Sequence, residues 1–132
     1  MEQPSPESIL ALIPFAVTLG IELLEADPGQ VRARLAWTPE RTTTADVMHG
    51  GAIMALADTC GGVCAFLNFP AGAQGTATIE SKTNFLRPVL SGAANATTRP
   101  LHRGRTLIVV ETEVARDDGK LAAKVTQTQV FS

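Results

Sequence analysis

The chain has 132 residues, of which 45% are hydrophobic, enough apolar material for one core. A formal net charge of -2 gives no overall attraction to nucleic acid or to an anionic membrane, so either contact would need a local basic patch. A single domain over residues 1–132 is expected.

The first residues, Met1 to Glu7, lack the positive and apolar regions of a signal peptide. No apolar run reads as approaching the roughly 18 residues that cross a bilayer, so the expected compartment is the cytoplasm. Cys60 and Cys64 have no further cysteine to build a disulfide or zinc framework with, which makes them small core residues. No metal ligand set is read.

Ser5-Pro6-Glu7 has the chemistry of a helix start, predicting a short helix over about 6–13 that Pro14 interrupts. A strand over Ile21 to Ala26, a turn at Asp27-Pro28-Gly29, and alternating Val31, Ala33, Leu35 and Trp37 predict a half-buried hairpin. A polar loop, Arg41 to Asp46, leads to a long helix over about 49–67, which ends before Asn68-Phe69-Pro70. Only strands follow, at Thr76 to Arg87, Ala93 to Leu101, Thr106 to Arg116 and Leu121 to Val130, the last three as an antiparallel meander. The class is α+β, a mostly antiparallel sheet curled round one long helix, with a second subunit completing the cover.

That helix is apolar nearly all round, so it reads as buried, and an ionised carboxylate within it, Asp58, needs a partner or a use. Ile53, Leu56, Cys60, Val63 and Leu67 form a bulky stripe for the sheet. Gly51, Ala55, Asp58, Gly62 and Ala65 form a small stripe, where a second helix or a ligand can lie close. Gly61 and Gly62 each cost about 1 kcal/mol relative to Ala, which a close approach would justify. At the other end, His49-Gly50-Gly51 sets backbone N–H groups at a helix N-terminus, where orphan donors and the dipole stabilise an oxyanion.

Asp58 and Gly50 are eight residues apart, roughly 12 Å along the axis, too far for one reacting centre within one chain. Two antiparallel helices across a twofold axis would bring each Asp58 beside the other subunit's Gly50. A dimer with composite sites is therefore expected.

The run from His49 to Asp58, followed by Thr78-Ile-Glu-Ser-Lys-Thr-Asn-Phe-Leu-Arg-Pro88, resembles the PaaI-like acyl-CoA thioesterases of the hotdog superfamily. Gly20, the turn from Arg103 to Thr106, and Asp118-Gly119 extend the resemblance over roughly residues 9–130. It implies a hotdog fold, a long helix wrapped by a curved antiparallel sheet, dimerised into a continuous sheet and often paired again as a tetramer. It further implies that the Gly50 N–H polarises a thioester carbonyl and that Asp58 of the partner chain acts as general base or nucleophile. His49 would shape the site, and no cofactor would be needed beyond the coenzyme A of the substrate itself. Related members place an Asn before the His-Gly-Gly motif and a Ser on the following strand. Here Thr43 and Thr78 stand at those positions, so the hydroxyl survives and the amide does not.

Between Ser81 and Val110 the chain carries Lys82, Arg87, Arg99, Arg103 and Arg105 and no acid, a local positive surface suited to coenzyme A phosphates. Arg103 and Arg105 are the leading contacts, with Arg87 next; His102 reads as a solvent-facing turn residue. Phe66, Phe69 and Phe85 could line an acyl pocket or simply be core. The alternatives are a non-catalytic acyl-CoA-binding hotdog protein, suggested by Thr43, and an enoyl-CoA hydratase, whose motif is not apparent.

Overall fold

The computed structural model describes residues 3–132. Ser5 caps α1 (Pro6–Leu10), its Oγ accepting from the Ser8 N–H at 3.2 Å. The helix is shorter than expected. Pro14 begins a second helix, α2 (Pro14–Leu19), because a missing N–H is no loss at a first helical position. Gly20 ends α2 in the left-handed region, φ 89°.

The hairpin β1 (Glu22–Asp27) and β2 (Gln30–Ala36) follows, its turn closed by the Gly29 N–H donating to the Asp27 carboxylate at 2.9 Å. Two short 3₁₀ turns then lead into α3 (Gly50–Leu67), with His49 as its cap rather than its first residue. Ala45 and Asp46, in the second turn, both take positive φ, 61° and 59°. Such residues cost about 1–3 kcal/mol each and persist only where surrounding contacts hold them, here including the Trp37 Nε1 donating to the Asp46 carbonyl at 2.9 Å.

After α3 come β3 (Thr76–Phe85), β4 (Ala93–Arg103), β5 (Leu107–Arg116) and β6 (Leu121–Phe131). All neighbours pair antiparallel in the order β1-β2-β4-β5-β6-β3. The meander is as expected. β3 ends two residues before the expected Arg87 and lies at one edge of the sheet; the other edge, β1, is covered by α1.

α3 touches all six strands, the hotdog arrangement. Ile53, Leu56, Cys60 and Val63 are buried against alternate inward residues: Val31, Ala33 and Leu35 of β2, Ala94 and Ala96 of β4, Ile108 and Val110 of β5. Thr98 and Thr112 are buried among them and satisfy each other, Oγ1 to Oγ1 at 2.6 Å.

Two expectations about this helix need correction. At 18 residues with mean hydropathy 1.5 it is long and apolar enough to span a bilayer, contrary to the reading that no run approaches that length. It is instead the core helix of the sheet. Nor is it covered all round: Met54, Asp58 and Phe66 lie exposed on one face, so Asp58 is not buried within the single chain.

Candidate active site

On that uncovered face Asp58 is held from below by the sheet. Its Oδ1 accepts from the Gln127 Nε2 at 2.6 Å and from the Thr78 Oγ1 at 3.1 Å. Thr78 Oγ1 accepts in turn from the Gln129 Nε2 at 2.5 Å, and Gln129 Oε1 from the Thr76 Oγ1 at 3.0 Å. A charge-assisted pair of bonds on one oxygen leaves Oδ2 with no donor among the described residues, open to the face of the helix.

Gln127 and Gln129, each 2% exposed, are the residues that sequence reasoning missed. Their signal is parity. Ala123, Val125, Gln127 and Gln129 share the inward face of β6, and two amides at core positions require partners.

The two helix glycines serve different ends, where the sequence suggested one. A Cβ at Gly61 would stand 1.6 Å from Gln127 Oε1, so the amide can lie under the helix only if position 61 is bare. A Cβ at Gly62 would meet nothing within 4 Å. Gly62 instead opens onto a cavity of about 440 Å³ between α3 and the N-terminal helices, walled by Ile9, Leu12, Phe15, Val63 and Phe66, with Asp58 at its margin. Phe66 is thus a cavity residue. Phe69 packs edge-on between Phe66 and Phe131.

The start of α3 forms a second, separate cavity of about 360 Å³, bringing together Thr43, Gly50, Phe85 and Arg87. His49 Nδ1 accepts from the Gly51 N–H at 2.7 Å. This corrects one expectation, because the Gly51 N–H is already engaged and, of the four donors in the first turn of α3, only the Gly50 N–H lacks a partner among the described residues. It also fixes the ring. A neutral His49 must carry its proton on Nε2, which faces away from the backbone.

The site residues read from the sequence therefore fall into two groups, Asp58 with Thr78, and Thr43, His49, Gly50 and Gly51 with Arg87. The basic segment does not form one patch. Arg87 donates to the Leu121 carbonyl at 2.8 Å, whereas Arg103 donates to the Pro28 carbonyl at 3.3 Å, near the C-terminal end of α3. Arg103 and Arg105 flank the turn between β4 and β5, while Arg87 lies at the opposite end of β5. Ten residues of strand, roughly 33 Å, separate them. Arg99 lies opposite Glu111 and near Glu25.

Burial pushes the Cys60 thiol up to about 12 and the Cys64 thiol to about 11, so both stay protonated and unreactive. Among the described residues, no three His, Cys, Asp or Glu side chains come together as a metal site would require.

Comparison with known proteins places this geometry in a family. The thioesterase superfamily profile matches residues 45–123, which includes α3 and, apart from Thr43, both groups. The candidate esterase Rv1847 of Mycobacterium tuberculosis is 31% identical over 127 residues, 92% of this chain and 91% of that one. A crystal structure of a mutant thioesterase PA1618 from Pseudomonas aeruginosa superposes with TM-score 0.91 at 26% identity, covering 98% of this chain and 95% of that one. The PaaI protein of E. coli, from the phenylacetic acid degradation operon, shares the fold with TM-score 0.86 at 21% identity, covering 96% and 89%. The chain belongs to the thioesterase superfamily, thioester hydrolases built on the hotdog fold.

Proposed function

We propose that the protein hydrolyses an acyl-CoA thioester to the free acid and coenzyme A, at a site shared between two subunits. The Gly50 N–H of one subunit polarises the thioester carbonyl, and Asp58 of the other attacks it or activates water. The observation that carries the reading is the Asp58 carboxylate, oriented by two donors on one oxygen and set beside an apolar cavity of about 440 Å³.

The same helix supports the sharing. Gly50 and Asp58 lie roughly 12 Å apart along α3, and each borders its own cavity. β3 offers an unprotected sheet edge with Ile79 and Phe85 more than half exposed, which pairing with a second copy of itself would cover. The acyl group would enter the cavity beside Asp58, and the coenzyme A would leave past Arg87 of the subunit that supplies Gly50. Arg103 and Arg105 would approach from the other subunit. A tetramer would pair two such dimers.

Thiol release from short, medium and aromatic acyl-CoAs tests the activity. Asp58→Ala is expected to lose about 100-fold or more in kcat while remaining a folded oligomer; full activity in that variant would refute the assignment. Thr43, exposed and with no side-chain hydrogen bond among the described residues, favours a second reading, an acyl-CoA-binding protein without turnover. Calorimetric binding with no thiol release would select it.

A further inference from the structure

Gln127 enters the reading above only as one of two donors to Asp58, yet it is among the most buried polar side chains, with Oε1 lacking any partner among the described residues. We propose that Gln127 is a positioning residue whose amide, seated under α3 by the bare Gly61, fixes the direction in which the free oxygen of Asp58 points. The proposal rests on Asp58 as the reacting carboxylate and goes beyond it.

The amide must face the carboxylate with its nitrogen, because Oε1 against Oδ1 would set two acceptors together. That places Oε1 against Gly61, where it finds no donor. A buried oxygen without a partner costs stability that a methionine of similar shape would avoid, so packing alone does not account for the residue.

The second donor is directed in the same way. Gln129 Nε2 occupies a lone pair of Thr78 Oγ1, and the second Gln127 hydrogen approaches the same oxygen at 3.5 Å. The one hydroxyl hydrogen is left for Asp58 Oδ1. The two oxygens of a carboxylate are equivalent and the group turns easily about its last torsion, so without these donors its free oxygen would have no fixed direction. Two donors on Oδ1 hold it, and Oδ2 faces the substrate side.

Among the described residues no charged group competes for this task. The register shift between Thr78 and Glu80 turns Glu80 and Lys82 to the outer face of β3, leaving Ser81 and Thr83 opposite the inward Gln127 and Val125. On β6, Lys124 faces outward and pairs with Glu111 at 2.8 Å. From α1 and α2 the cavity receives only apolar side chains.

Steady-state kinetics on Gln127→Met, which keeps the shape and lacks the N–H, and on Gly61→Ala, which displaces the amide, test the proposal. Each is made in the wild-type and Asp58→Ala backgrounds, with a thermal melt. The expected result is kcat lower by on the order of 10- to 100-fold with KM within about 2-fold. Gln127→Met should melt no lower than wild type, and neither change should cost anything further once Asp58 is gone. An unchanged kcat in Gln127→Met beside an inactive Asp58→Ala overturns the proposal alone. An equal loss in the Asp58→Ala background overturns it too, by making the role structural. Full activity in Asp58→Ala would remove the shared-site reading and this proposal together.

Discussion

Asp58 is legible in the sequence because it breaks a pattern, a lone acid in an apolar helix, and His49 and Gly50 are legible because glycines open that helix. Gln127 and Gln129 break no pattern. Thr126, Gln127, Thr128 and Gln129 are all polar, so the second half of β6 reveals its inward face only when the parity of Ala123 and Val125 is carried into it. The arginines failed differently, since a stretch free of acids is contiguous in the chain while β4 carries it from one end of the sheet to the other. A test at this scale lies in the β5–β6 turn. The Arg116 guanidinium, and next the Lys120 N–H, hold the Asp118 carboxyl at about 2, below its ordinary 3.8. A lowered folded value means that the turn's contribution to stability is present above the ordinary value and is lost as pH falls through about 2. Carboxyl NMR titration of Asp118 should give a midpoint near the lower figure; one near the ordinary value would contradict the bonding described.

At the scale of elements, the bulky stripe of α3 and the alternation of β2 predicted what is buried, because both periods follow from backbone geometry alone. Helix ends and strand ends moved by a few residues where proline chemistry or a turn decided them, as Pro14 did. The Thr98–Thr112 bridge beneath α3 could not be read in advance, since a threonine on a strand suits either face. It makes a clear prediction. Thr98→Val leaves the Thr112 hydroxyl buried without that partner and should cost about 1–3 kcal/mol, whereas Thr98→Val with Thr112→Val should recover most of the loss. Denaturant melts of the two variants decide it; a double variant less stable than the single would contradict the pairing account.

At the scale of the whole molecule, the fold exposes what a lone chain would be expected to cover: the β3 edge and the face of α3 bearing Met54 and Asp58. Both are accounted for if a second subunit lies there, and the same arrangement unites the two halves of the site. Gly50→Pro removes the one N–H at issue. Proline suits the first helical position, and His49 already has the extended backbone that precedes proline, φ -59° and ψ 132°. The Phe85 ring, 3.1 Å from where a Cβ would stand, must yield only slightly. Asp58→Ala and Gly50→Pro chains, each inactive alone, are unfolded together and refolded as a mixture, and thiol release from an acyl-CoA is measured. A shared site predicts that activity returns to about a quarter of wild type, since half the dimers are mixed and each carries one intact site. Mixed dimers that regain no activity would contradict the account.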